Sequence, residues 1–248
     1  MPNAALTRPV TTTFSSRSPL TGDAHPSRAG RAQARACIAV AALLGTLARP
    51  VQALEITANA GFMSEYIFRG IAQSDSSVMG GLDLKHAGFY LGTWAADLEQ
   101  DGTDAGDGLE VDLYGGYNGS VGDLNYGIGA TGYFYTDDFD DDYREINLSL
   151  GYSLFSVAAA FGEYDNFDGP TEDYSFVAPR VDYKGFYGLA GFFGRDFEGE
   201  YYEAGYGSQF EPIGLDYRLS VIYSTDELIG EDSGDTSLVL SISKTFEL

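Results

Sequence analysis

The chain has 248 residues, with 37 acids against 14 bases, 44% hydrophobic and 14% aromatic residues, and a formal net charge of −23. That balance excludes a nucleic-acid groove, which needs a basic face. The charge is also unevenly placed. The first 53 residues hold six arginines and a single acid, Asp23, so residues 54–248 carry eight bases against 36 acids, a net charge of −28.

At the N-terminus, Arg28, Arg31 and Arg35 precede the apolar run ACIAVAALLGTLA, and Val51-Gln52-Ala53 places small residues at the −3 and −1 positions. This order predicts a secretory signal peptide over residues 1–53, cleaved after Ala53, with a long polar n-region. The run of about 13 residues is too short to span a hydrocarbon core as a helix. An upstream start codon is the plain alternative for the long n-region, and an Arg-rich, Ser-rich, acid-poor prefix also fits an organelle transit peptide. Cys37 stands at the beginning of the apolar run, the wrong place for a lipid anchor, and residues 54–248 contain no cysteine. A disulfide, a thiolate metal site and a cysteine nucleophile are thereby excluded from that part. No run of about 18 apolar residues follows, so membrane-spanning helices are excluded there as well.

From Leu54 onward the chain reads as twelve alternating segments: 55–69, 77–86, 88–98, 109–118, 123–135, 143–153, 155–164, 174–183, 186–195, 200–210, 214–224 and 236–247. Connectors after odd segments are long and acidic (GIAQSDSS, EQDGTDAGDG, TDDFDDD, DNFDGPTED, DFEG, TDELIGEDSGD). Those after even segments are short, as at Ala87, Ser153-Leu154 and Lys184-Gly185. Regular switching between short turns and long loops is the pattern of an antiparallel transmembrane β-barrel. The expected fold is therefore all-β, residues 54–248 forming a barrel of about twelve strands, with both termini on the periplasmic side.

Side chains in such a wall alternate between lipid and lumen. Leu238, Leu240, Ile242 and Phe246 oppose Ser237, Ser241, Ser243 and Thr245, and Ile146, Leu148 and Leu150 oppose Glu145, Asn147 and Ser149. Extending this gives the expected lumen charges: acids Glu65, Asp83, Glu110, Asp112, Glu145, Asp182, Glu203 and Asp216, and bases Arg69, Lys85, Arg180 and Arg218. On closure Arg69, Lys85 and Arg218 would share neighbouring staves, facing Glu110, Asp112 and Glu145, as in a charge-selective constriction. A plugged interior in which the same groups pair with one another is the alternative. Twelve strands give a backbone diameter of about 24 Å, leaving about 10–14 Å after side chains. Aromatics near segment ends predict two interfacial girdles, one with Phe89, Tyr90, Tyr117, Tyr126, Tyr152, Phe155, Tyr183, Phe186 and Tyr187, the other with Tyr66, Phe68, Phe134, Tyr135, Tyr143, Tyr164 and Tyr174.

The stretch ANAGFMSEYIFRGIAQSDSSVMGGLDLKHAGFYLGTWAADL, followed by LEVDLYGGY, closely resembles the TorF-type porin family, also called Gcw_chp, over residues 57–117. The resemblance implies a proteobacterial outer-membrane barrel and carries over no site residues. One departure is the C-terminus, where Phe246 is followed by Glu247 and Leu248 instead of ending the chain, as barrels read by the assembly machinery usually do.

Enzyme chemistry finds little support. The sole histidine of the barrel segment, His86, lies beside the Ala87-Gly88 turn, at the end opposite to where an outer-leaflet lipid hydrolase needs its base. Asp137, Asp138, Asp140, Asp141 and Asp142 lack the spacing of a twelve-residue calcium loop and read as a solvated charge run. GSVGDLNYG has no phosphate-loop order. The expectation is a porin-like channel in the Gram-negative outer membrane for passive diffusion of small polar solutes or ions, with mild cation preference. Its partners would be outer-membrane lipid and lipopolysaccharide, the solutes and the barrel-assembly machinery, with no cofactor, metal or nucleic acid. A closed structural or surface-recognition barrel with acidic loops is the alternative, and a lipid hydrolase comes last.

Overall fold

A computed structural model describes residues 53–99 and 107–248. The expected signal peptide and the loop around Asp104 lie outside the described residues. The wall is a closed antiparallel barrel of twelve strands in simple up-and-down order. These are β1 (Glu55–Met63), β4 (Ser77–His86), β5 (Phe89–Glu99), β6 (Asp107–Val121), β7 (Leu124–Tyr135), β8 (Tyr143–Tyr152), β9 (Phe155–Tyr164), β10 (Glu172–Tyr183), β11 (Phe186–Arg195), β12 (Glu200–Phe210), β13 (Leu215–Ser224) and β14 (Asp235–Glu247). Two further strands, β2 (Tyr66–Phe68) and β3 (Ile71–Ser74), form a separate two-stranded sheet. A single turn of helix, α1 (Asp226–Ile229), lies between β13 and β14.

Local chemistry fixes the wall. At Ala87-Gly88 and Lys184-Gly185 both turn residues take positive φ, between 51° and 89°, the two-residue hairpin geometry that matches strand twist. Outward positions are apolar and exposed, among them Leu82, Leu91, Leu113, Ile128, Leu148, Leu150, Leu219 and Leu238. Such a belt leaves its apolar surface uncovered unless a bilayer covers it, which is the physical requirement of a transmembrane barrel. No helix among the described residues is long and apolar enough to cross a membrane, which bears on helices alone.

The expected first strand, 55–69, is two elements. Met63 is the last residue of β1 to pair, with Ser241 on one side and Ser77 on the other. At Ser64 the ladder ends: its N–H still donates to the Leu240 carbonyl at 2.9 Å, but the Leu240 N–H is taken by the Ser64 hydroxyl at 2.9 Å. A side chain has replaced the backbone acceptor, and the chain turns away. The segment GIAQSDSS, expected as an external loop, instead contributes β3 and returns to the wall at Ser77, directly opposite Met63.

The second expected girdle is also corrected, apart from Phe134, which keeps the outward parity of Ile128, while Tyr135 packs against the inner core. Tyr66, Phe68, Tyr143, Tyr164 and Tyr174 are buried inside the barrel rather than placed at the lipid interface. Phe89, Tyr152, Phe155, Tyr183 and Phe186, at the short-turn end, are exposed on the outside, whereas Tyr90 and Tyr187 of the same expected girdle turn inward. For the wall residues the reason is period two: Tyr143 shares the inward face with Glu145, and Tyr174 with Phe176 and Arg180, so these rings cannot reach lipid, while Tyr66 and Phe68 leave the wall with β2.

Candidate functional site

The β2–β3 hairpin reaches into the long-loop half of the lumen. Its strands pair Phe68 with Ile71 and Ile67 with Ala72, around a two-residue turn of Arg69 and Gly70 with φ of 46° and 85°. Gly70 is required there, because a Cβ would sit 2.5 Å from that of Tyr201 and 2.8 Å from Leu228 Cδ2. The tip is bound across the barrel: the Ser224 hydroxyl on β13 donates to the Gly70 carbonyl, and Tyr66 donates from its hydroxyl to Glu110 on β6 at 3.0 Å. Arg69 Nη2 donates to both carboxylate oxygens of Glu145 on β8, at 3.1 and 3.2 Å.

Aromatic packing fills the space around these bonds. Tyr66 meets the Trp94 ring edge-on at 5.6 Å, and Phe68 lies 6.0 Å from Tyr133. Above them Tyr143 stacks on Tyr164 at 4.3 Å and Tyr174 on Phe197 at 5.2 Å. Each such pair contributes about 0.5–1.5 kcal/mol beyond its buried area. The connector 136–142 closes over this core, burying Phe139 and Asp140. The Asp140 carboxylate accepts from Tyr164 at 2.9 Å, Tyr143 at 3.1 Å and its neighbour's Asp141 N–H at 2.8 Å. Burial outweighs those bonds and pushes the Asp140 carboxyl up to about 7.

Towards the short-turn end the inward positions become small and polar, as alternation from the outward residues requires: Asn59, Asn125, Asn147, Ser149, Ser241 and Ser243. The remaining expected lumen charges are spread over both halves. Glu65, just past β1, accepts from Ser237 at 3.0 Å. Asp83 accepts from the Tyr114 hydroxyl at 2.8 Å. Arg180 grips Asp182 through Nε and Nη2 at 2.8 and 2.7 Å and stands 4.0 Å above the Tyr187 ring, over which Arg218 also lies at 5.3 Å. Tyr187 donates to Glu203, Asp216 accepts from Gln209 at 2.9 Å, and Lys85 is exposed opposite Glu55. Glu110, Asp112 and Glu145 are buried together with Arg69, at 1%, 2%, 4% and 6% exposure. Arg69 thus stands inside the lumen at a hairpin tip, crossing to the acidic wall it was expected to face. His86 is exposed at the end of β4. Among the described residues no three His, Cys, Asp or Glu side chains are grouped to hold a metal ion.

The Gcw_chp family model, described as a bacterial protein of unknown function, matches residues 47–186. The chain belongs to the Gcw_chp family. No curated protein matches it. Among solved structures, this Gcw_chp chain is similar to the COG4313 outer membrane channel from Pseudomonas putida F1, at 12% identity and a TM-score of 0.46, with 81% of this chain and 97% of that one covered. It is also similar to the outer membrane protein opdK from Pseudomonas aeruginosa, at 15% identity and a TM-score of 0.39, with 81% and 68% covered.

Sequence reasoning missed the inserted hairpin and the inner aromatic core of this Gcw_chp barrel. One signal was present: Tyr143, Tyr164 and Tyr174 stand at inward parity relative to Glu145, Gly162 and Arg180. Segment length carried none, because the fifteen-residue β6 stays in the wall throughout.

Proposed function

We propose that the chain is an outer-membrane channel for the passive passage of small polar solutes or ions, with a mild preference for cations. The observation that carries this reading is an inner face on which carboxylates outnumber bases, narrowed by a hairpin that is no part of the wall. A lumen lined in this way lowers the energy of a cation relative to an anion. The same reading places the termini and the short turns at the periplasmic side, the acidic loops outside against lipopolysaccharide, and the chain among substrates of the barrel-assembly machinery. It agrees with the narrower TorF-type porin resemblance and assigns no enzymatic role.

The test is planar-bilayer recording of refolded, heat-modifiable protein in a potassium chloride gradient. Reversal potentials favouring potassium are expected. The second reading, a closed structural barrel, draws on the aromatic packing at the long-loop end, and a folded barrel that never conducts, even with its hairpin removed, would establish it.

A further inference from the structure

The Arg69 guanidinium is held as a free organic cation is held. Among the described residues Nη2 alone is paired, with both oxygens of Glu145, while the buried Nε and Nη1 have no hydrogen-bond partner. Its central carbon lies 4.1 Å from the Phe176 ring centre and 5.5 Å from that of Phe68. A carboxylate beside aromatic faces is the chemistry by which guanidinium and ammonium groups are recognised.

Most of that arrangement belongs to the wall. Glu145 accepts from Tyr133 at 2.8 Å, Tyr174 at 2.9 Å and Asn147 at 2.6 Å, so three donors on β7, β8 and β10 orient it independently of Arg69. Phe176 is also on β10, and Asp112 on β6 stands opposite Tyr133 in the ladder. Only Arg69 and Phe68 come from the hairpin. Met63 and Ser77 face each other in the wall, so neither the β1–β4 nor the β1–β14 ladder uses any of residues 64–76 as a register partner. If the hairpin leaves, a buried, pre-oriented carboxylate and an aromatic face remain without a cation. The same acids oppose an anion, and the rings and hydroxyl donors around Glu145 offer a bare metal ion too few oxygen ligands.

We propose that the Glu145, Tyr133, Tyr174 and Phe176 cluster is a binding site for a small organic cation of the guanidinium or alkylammonium type, occupied by Arg69 as an intramolecular stand-in while the hairpin is seated. Access of such a solute through the lumen rests on the channel reading above.

The test uses methylguanidinium chloride as the probe, with potassium chloride at equal ionic strength as the reference. Two refolded proteins are compared: Arg69→Ala, and a barrel in which residues 65–75 are replaced by a short Asn-Gly turn. Millimolar probe, far below the molar range in which guanidinium denatures, should raise the melting midpoint of the heat-modifiable band in both, with half-saturation on the order of 1–10 mM. Potassium should not. Adding Glu145→Gln to either background should weaken the effect about tenfold, as expected for a lost charge-assisted pair. No probe-specific rise in either folded protein, or an equal rise with Glu145→Gln, overturns the site. If Arg69→Ala does not fold, the hairpin-replaced barrel decides alone. Potassium current through that barrel is read separately. Probe-specific stabilisation in a silent barrel keeps the site and sinks the channel, whereas current without probe-specific stabilisation sinks the site.

Discussion

At the scale of single residues, the Arg69–Glu145 pair holds the hairpin, and its burial sets what its loss should do. With side-chain exposures of 4% and 0%, neither charge can recover water if its partner is removed. Glu145→Gln should therefore destabilise the barrel by about 3–5 kcal/mol. Replacing both residues with leucine or methionine should cost much less than the two single changes together. Denaturant unfolding followed by fluorescence of Trp94, the sole tryptophan, measures both, and a single-variant midpoint equal to the parent's would contradict this account. Asp140 offers a pH test. Its carboxyl titrates near 3.9 when solvated and near 7 in the seated loop, so the seated loop binds the proton more tightly. Seating is then strongest below about pH 4, weakens as pH rises from 4 to 7, and levels off above that. Proteolysis of the 136–142 connector should rise over that window in the parent and be flat in Asp140→Asn. Arg69 also marks a limit of reading from sequence. Its polarity was visible beside Phe68 and Ile67, but whether it lined a wall or tipped a hairpin depended on the pairing of Ser64 with Leu240, a contact with the far end of the chain.

At the scale of elements, the wall was legible because each strand repeats one rule. Eleven of the twelve expected segments end within three residues of the observed strands, since period two and the turn residues both act locally. The hairpin was not legible, because β2 and β3 also alternate and nothing local says that their partner is each other rather than the wall. Two outcomes belong here. Replacing residues 65–75 by a tight turn should leave the barrel heat-modifiable and raise its unitary conductance several-fold over the parent, as read in planar bilayers. Equal conductance would mean that the hairpin is no barrier. Cysteines introduced at the exposed Asp168 and Glu231 should react with impermeant maleimide on intact cells, while Gly88 and Gly185 should not. The reverse pattern would invert the barrel, and the same test at Asp104 extends it to the loop after β5.

For the whole molecule, the net charge of −28 over residues 54–248 sets a field that salt screens over roughly 10 Å at 0.1 M. Cation preference should consequently be greatest at low ionic strength and fade towards 1 M. Exchanging Glu110 and Asp112 for glutamine and asparagine should reduce it at low salt, and unchanged reversal potentials would show that these two acids do not face the conducting path. The order of strands in the barrel also governs how it forms. Every neighbour of β5 through β13 is adjacent in sequence, but β1 closes on β14, from Thr57 opposite Glu247 to Met63 opposite Ser241, and the Leu248 N–H donates to the Ile56 carbonyl at 3.0 Å. This seam joins the first and last residues of the barrel, so it cannot zip until the final stretch of chain has arrived, and until then two strand edges stay open. Closure is then a late, non-local event following fast local hairpins. Substitutions along the seam should accordingly quicken unfolding far more than they slow folding.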